Sequence, residues 1–462
     1  MLEGLEVSEV RFSESAENKD FRMDSDFWTK QPKKNPLLKY LKIGDILKSS
    51  QYGISVSMNE ENKGYPIYRM NEIHNMLCDL EVDKCADISK YEFQKFELKD
   101  RDVLFNRTNS FEWVGRTGVY YQNNKIPKTF ASYLVRFNPD ENVILPEYLA
   151  TFLNTKQGVW DVKRRARQSI NQTNVNPEEV KEIEIPLLPI AFQNEIRNRF
   201  EKANKDRILS QQIYRQAEEL LLETLGLKDF TPSEKGINIK RFKESFLATG
   251  RMDAEYYQPK YEEMIKHIER FETERLNRIV SIKKSVEPGS DAYKTEGIPF
   301  IRVANVSKFG LTETDIFLDK SKFGNSGLQP KKDTILLSKD GTIGIAYKIE
   351  QDTDIITSGA LLHLTVTNKD FLPDYVTLVL NSEVVKMQAE RDAGGSIIQH
   401  WKPSEIEQVI IPKIPMPIQQ QISALIQESF GLRTESEELL MEAKEMVERE
   451  VNNSHNQTLM LT

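Results

Sequence analysis

The chain has 462 residues, 39% hydrophobic and 29% charged, which leaves room for two to four packed domains and excludes a disordered polymer. Its 71 acidic residues outnumber 63 Lys and Arg, a net charge of −8, which excludes a protein that coats nucleic acid through a global basic excess. A local basic surface, or binding shared with a partner, remains open. No window of 18 uncharged apolar residues occurs, and the acidic N-terminus MLEGLEVSEVRF lacks an apolar leader, so the expectation is a cytoplasmic chain without span or signal peptide.

In chain order, residues 1–40 form an N-terminal arm carrying RFSESAENKDFRMDSDFW. Residues 41–190 then alternate β-rich runs (YPIYRM, DVLFNR, YLVRF) with a polar insertion, TNSFEWVGRTGVYY, and a helical stretch, PEYLATFLNTKQGVWDVKRR. A polar loop, QSINQTN, leads to the proline-broken strand IEIPLLPI. Residues 191–226 carry a long helical stripe through Ile196, Phe200, Ile213, Ala217, Leu221 and Leu225. After the charged, turn-rich join LKDFTPSEKGINIK the pattern begins again. A second arm, RFKESFLATGRMDAEYY, lies within residues 227–275. IPFIRVANV, DTILLSKDGTIGIAYKI, ALLHLTV and PDYVTLVLNSEVVKMQAER follow within residues 276–415. The last helix, 416–452, repeats the stripe through Ile422, Ile426, Leu439, Ala443, Val447 and Val451, and 453–462 read as a disordered tail.

The two halves align without a break in order. Arg11 and Arg241 stand 230 apart, Leu145 and Leu372 stand 227 apart, and Pro177 and Pro403 stand 226 apart. The chain is one module written twice. Stripes as long and narrow as these suit a coiled-coil seam, and the partner each fits is the other helix, parallel or antiparallel.

Nothing reads as a catalytic centre. There is no GxxxxGK[ST] loop, no GxGxxG, and no Pro-Pro from which to build the Asn/Asp-Pro-Pro-aromatic tetrapeptide of amino-methyltransferases. Glu383 and Lys386 are mis-spaced for a nuclease, and His74, His267, His363, His400 and His455 are scattered. His363, inside an apolar strand, reads as a core residue. Cys78 and Cys85, seven apart with no paired histidines, read as packed thiols. The expectation is no catalytic residue, no metal ligand and no cofactor held by this chain.

Contact chemistry is better represented. Lys163, Arg164, Arg165 and Arg167 place four positive charges in five residues, followed by Gln168 and Gln172. Arginine pairs with phosphate or guanine, and Asn or Gln with adenine, while a merely solvated helix end fits this stretch equally well. The second copy keeps Ser396 and Gln399 and adds His400 and Lys402, but has Asp392 and Gly394 where the first has Arg165 and Arg167. Strand edges add Arg69, Asn71, Arg107, Asn109 and Arg116 in the first copy, and Arg302, Asn305, Ser338, Lys339 and Lys348 in the second. One frame with two contact sets suits recognition of two short targets.

Through the repeat, IPFIRVANV, DTILLSKDGTIGIAYKI, GGSIIQHWKPSEIEQVIIPKIPMPIQQQI and the helix after each ending, the chain resembles the specificity subunits of type I restriction-modification systems over nearly its whole length. The resemblance implies an α+β fold with two tandem pseudo-symmetric target recognition domains, each a mixed β-sheet with short helices. Two long helices packed as an antiparallel coiled coil separate them. It implies a bipartite double-stranded DNA target and two docked modification subunits that methylate adenine N6 with S-adenosylmethionine. A restriction and translocation subunit completes the complex, and catalysis belongs to these partners. The Arg-Phe…Arg-Met-Asp arms are shared with only a subset of the family. They leave open a type II system with a fused methyltransferase-nuclease, and a repeat adaptor that binds no DNA also remains as an alternative. Charged pairs beside aromatics suit an arm that docks on the helix pair or on the methylating partner.

Overall fold

A computed structural model describes residues 9–17, 21–169, 172–234, 236–324, 326–393 and 399–452. The tail expected at 453–462 lies outside the described residues. The chain divides into two compact units: one ends at Leu209 and resumes at Leu432, and the other runs from Ser210 to Gly431. The division therefore falls inside both long helices, Ile190–Thr224 and Met416–Asn452, rather than at their ends.

In the first unit a six-stranded sheet runs in the order Leu47–Tyr52, Leu134–Pro139, Val103–Asn106, Thr117–Val119, Leu77–Cys78, Ile73–His74. Strand alternation sends Val103 and Phe105 to one core, with Val135, Phe137 and Leu149, while Leu104 joins Leu134, Tyr68 and Phe130 in another. Both faces of Val103–Asn106 are thus covered, which is why it reads as an unbroken apolar run. A second sheet, in the order Thr129–Phe130, Tyr65–Tyr68, Cys85–Ala86, Met58–Asn59, adds a further layer. Cys78 and Cys85 are buried free thiols.

The helix Pro146–Asn154 opens on a proline and buries nearly every side chain. Thr155 then caps the next helix, Lys156–Arg165, accepting from the Gly158 amide at 3.1 Å. The second helix ends where the chain enters a hairpin, Arg167–Gln168 with Thr173–Asn174, and this hairpin pairs antiparallel with Thr108–Asn109. Tyr40–Lys42 and Glu184–Pro186 close the module as an antiparallel pair.

The second unit repeats this plan with its own residues. Its main sheet runs Val280–Lys284, Leu361–Val366, Thr334–Ser338, Ala346–Lys348, and a three-stranded sheet runs Phe317–Leu318, Ile298–Ile301, Ile356–Thr357. Even the register recurs: Phe105 faces Val135 in the first unit, and Leu337 faces Leu362 in the second. The helices Pro373–Leu380 and Glu383–Ala393 follow, and Thr273–Arg275 pairs with Ile410–Pro412.

Within the first unit the long helices run in opposite directions: Arg199 meets Glu442 and Lys202 meets Glu435, while the Ser436 hydroxyl donates to the Ala203 carbonyl at 2.8 Å. Ile196, Phe200, Ala443 and Val447 are buried there, with Leu439 partly buried, and they share one core with Val103 and Phe105. In the second unit Ser210 meets Ser429 at 3.1 Å, and Ala217, Leu221, Ile422 and Ile426 join the core of Leu337 and Leu362; Ile213 is also buried. Each stripe serves the sister helix and its own module at once. No helix among the described residues is long and apolar enough to cross a membrane.

Candidate nucleic-acid interface

In the first module three segments meet: the loop 108–116, the end of the helix Lys156–Arg165, and the hairpin 167–174. The loop is held against the helix closely enough that a Cβ at Gly115, whose φ is +90°, would lie 2.6 Å from Val162 Cγ1. On this surface the Arg116 guanidinium sits 3.7 Å from the Trp113 ring centroid, and the Lys163 ammonium 5.0 Å from that of Phe111. Partial burial holds the Lys163 ammonium below its ordinary pKa. Arg107 lies over the exposed Tyr52 ring at 5.2 Å and donates to the Ser132 carbonyl.

Arg167, Gln168 and Gln172 are exposed on the hairpin. The Ser169 amide and hydroxyl both donate to the Gln172 carbonyl, at 2.8 and 2.7 Å. Asn109 pairs with Thr173 in the strand register, and its side chain accepts from the Ser110 amide. Asn71 is exposed.

Four expected contacts have internal roles instead. Arg165 is 6% exposed and lies between Asp161 and Glu179, both at 3.1 Å. Arg164 is spent on Asp161 at 2.5 Å and on the Phe27 carbonyl at 2.8 Å. Their acids stand one helical turn upstream or on the next helix, so the two charges are paired inside the module. Lys348 is buried against Asp374 at 2.9 Å and Glu350 at 3.0 Å. Burial alone would lower its ammonium, but the two carboxylates outweigh it and the net shift is upward. Ser338 is buried at a strand end, its hydroxyl accepting from the Ile345 amide at 2.9 Å. Two further cations are partly neutralised: Arg69 by Glu72, which also accepts from the Arg69 amide at 2.6 Å, and Lys339 by Asp340.

In the second module the corresponding surface is smaller. Lys339–Gly341 lies beside Gln399–Trp401: Asp340 bridges His400, the Gly341 amide donates to the Gln399 carbonyl at 3.0 Å, and the Trp401 amide to the Lys339 carbonyl at 2.8 Å. This is the same pairing as Thr108 with Asn174. His400 is largely exposed, and its Nδ1 lies 2.9 Å from Asp340. Lys402 is 73% exposed, with Glu405 at 3.6 Å. Arg302 is exposed at the head of a turn in which Asn305 accepts from the Arg302 amide at 3.1 Å and donates to the Glu313 carbonyl. Ser396, like Asn171 in the first module, lies outside the described residues. His363 is a buried core residue, with Nε2 2.8 Å from the Thr357 hydroxyl.

Sequence reasoning passed over Phe111 and Trp113, the rings under Lys163 and Arg116. Their signal was present in the insertion TNSFEWVGR, where two aromatics stand in an otherwise polar run closed by an arginine. Among the described residues no group of three or more His, Cys, Asp or Glu is placed to hold a metal ion.

Comparison with known proteins places this architecture. A MjaX type I restriction enzyme specificity subunit described from Methanocaldococcus jannaschii is 24% identical over 417 residues, 87% of this chain and 90% of that one. The EcoKI specificity subunit of Escherichia coli K12 is 25% identical over 176 residues, 38% of each chain. The crystal structure of a type I restriction-modification S subunit from M. genitalium covers 91% of this chain at 13% identity with a TM-score of 0.41. The type I restriction modification DNA specificity domain matches twice, at residues 38–219 and 268–442. A chain that carries this domain twice over most of its length belongs to the family of type I restriction-modification DNA specificity subunits.

Proposed function

We propose that the chain reads a bipartite duplex target, one half-site per module, and that it catalyses nothing itself. The observation that carries this reading is the shared frame with different faces. Thr108 pairs with Asn174, and Asp340 with His400, at the same point of the two modules, yet the side chains there and around them differ. In the first module Arg167, Gln168, Gln172, Lys163 and Arg116 meet the duplex; in the second Gln399, His400, Lys402 and Arg302 do. Arginine and lysine supply phosphate attraction, and the amides and Arg supply base-edge chemistry. The two long helices act as an antiparallel coiled-coil spacer that fixes the distance between half-sites.

Adenine-N6 methylation with S-adenosylmethionine belongs to docked modification subunits, and cleavage to a further subunit, all in the cytoplasm. Both arms expose apolar side chains at matching places, Phe12 and Met23 in one and Phe242 and Met252 in the other. A duplicated apolar surface suits a partner present in two copies. The test is to exchange residues 41–190 for the equivalent segment of another family member and to map methylated adenines. One half of the target changes and the other is retained; a change in both halves, or in neither, defeats the two-reader reading.

A further inference from the structure

The repeated arms do something specific at the atomic level. In the first module the Arg22 guanidinium is 9% exposed and clamped by Asp24, with contacts of 2.5 and 2.9 Å. Its Nη1 donates to the Arg165 carbonyl at 3.0 Å and its Nη2 to the Arg164 carbonyl at 3.3 Å. Those are the last two carbonyls of the helix Lys156–Arg165. The Phe27 ring lies near both Arg22, at 4.9 Å, and Arg164, at 4.6 Å. The Trp28 indole N–H closes the unit on the Arg22 carbonyl at 2.9 Å.

The second module builds the same object from different residues. Arg251 is held by Asp253 at 2.8 and 2.6 Å and donates to the Asp392 carbonyl at 2.7 Å, near the end of the helix Glu383–Ala393. Tyr256 lies near Arg251, at 4.5 Å, and Arg391, at 5.0 Å. The Tyr257 hydroxyl donates to the Arg251 carbonyl at 3.2 Å. Arg22, Asp24, Phe27 and Trp28 each stand 229 residues before their counterparts, and Arg164 and Arg165 stand 227 before Arg391 and Asp392.

Carbonyls at a helix C-terminus have no partner within the helix and favour a cation. A guanidinium oriented by its own carboxylate meets two carbonyls with a rigid fork, which fixes direction as well as charge. In the first module Ala166 alone separates this capped end from Arg167 and Gln168. The latch therefore acts at the root of the contact hairpin.

We infer that Arg22 with Asp24, Phe27 and Trp28, and Arg251 with Asp253, Tyr256 and Tyr257, are positioning residues that set the pose of the contact segment in their own module, so that each latch governs the reading of one half-target. This rests on the DNA-reading assignment above. It relocates the arm: Arg22 and Arg251 serve the end of a short helix in their own module.

The test uses the full chain assembled with its modification subunits, carrying Arg22→Ala or Arg251→Ala. Trp28→Phe, which loses the indole N–H bond and part of the ring but leaves the Arg22 fork in place, serves as the milder variant should the first not fold. Two readouts are needed: amide hydrogen exchange over 163–169 and 172–174, and competition between the cognate duplex and duplexes altered in one half-site. Arg22→Ala should speed exchange in the hairpin and lower discrimination in one half-site by roughly tenfold, leaving the other unchanged. Arg251→Ala should do the reverse. Unchanged exchange, or equal loss in both half-sites, overturns the latch. The double substitution Arg167→Ala, Gln168→Ala separates the two layers. If it leaves discrimination intact while Arg22→Ala speeds exchange, the DNA-reading assignment fails, and the specificity role of the latch fails with it.

Discussion

The two modules differ far more on their contact faces than in their frames. Each frame is held by the same buried polar bonds. Gln193 accepts from the Leu145 amide at 2.8 Å and donates to the Leu188 carbonyl at 2.9 Å; Gln419 accepts from Leu372 at 2.9 Å and donates to Ile414 at 3.0 Å. The Tyr148 hydroxyl donates to the Pro186 carbonyl, and Tyr375 to Pro412. Asn154 and Asn381 each tie a helix to a neighbouring strand, at Thr117 and Ala346. On the contact faces, by contrast, the first module rests Arg116 and Lys163 on aromatic rings. The second sets Lys339 and His400 against Asp340. Buried hydrogen bonds permit little substitution, because an orphaned buried group is costly, whereas exposed side chains change freely. A duplicated protein can therefore diverge in what it touches while keeping how it folds.

The sharpest way to break this division is to substitute a basic residue that the frame, not the face, owns. Arg165→Met removes the cation set against buried Glu179 and one of the two set against Asp161, and should cost about 3–5 kcal/mol. Denaturant unfolding measures it. Arg167→Ala, two residues on and exposed, should change stability by no more than about 0.5 kcal/mol while weakening DNA binding. Equal stability loss for the two would erase the distinction.

A second asymmetry is buried in the frame itself. His363 occupies the register position that Arg136, paired with Asp102 at 2.9 Å, holds in the first module. Burial, and secondarily Lys283, lower its pKa from 6.5 to about 4. The folded chain keeps the ring neutral while the unfolded chain takes up a proton, so stability should fall as pH drops from 6.5 toward 4. The shift corresponds to about 3 kcal/mol over that window. His363→Val removes the titrating ring. It should flatten this acid slope, though it lowers stability near neutral pH by about 1 kcal/mol because Thr357 loses its partner. An unchanged slope would place the acid sensitivity elsewhere.

The likeness of the frames has its own test. Gln193→Leu and Gln419→Leu each take a partner from one backbone N–H and two carbonyls, and each should cost about 2 kcal/mol. Unfolding midpoints should fall by similar amounts for the two variants. A large loss in one and none in the other would mean that the repeat is conserved in outline only.

Much of this was legible in sequence. The repeat, the β-rich runs and the helix stripes survive because hydrophobic period is a local pattern, as in DVLFNR and DTILLS. Arg164 and Arg165 were misjudged although Asp161 stands three and four residues upstream, the spacing of a helical ion pair. Lys348 gave no such sign, since Asp374 is 26 residues away in sequence and adjacent only in the fold. The latch was invisible for a deeper reason: Arg22 grips backbone carbonyls, and a carbonyl has no side-chain identity from which to predict it.

The smallest effect tests the aromatic seats, which distinguish the first face from the second. Trp113 is half-buried, and its ring holds the Arg116 guanidinium at 3.7 Å. Trp113→Leu keeps the charge of Arg116 and removes only its seat, a contribution of about 0.5–1 kcal/mol for an exposed cation over a ring. DNA affinity should therefore fall a few-fold, with the unfolding midpoint nearly unchanged. The salt dependence should stay as it was, because the number of cations meeting phosphates is the same. Arg116→Ala should differ on that last point and reduce the salt slope by about 1. The turn between Ser338 and Ile345 in the second module is shorter than the Asn106–Arg116 loop and carries no ring. The loss from Trp113→Leu should accordingly be confined to one half-site. If it spread to both, the ring would belong to the frame rather than to the face.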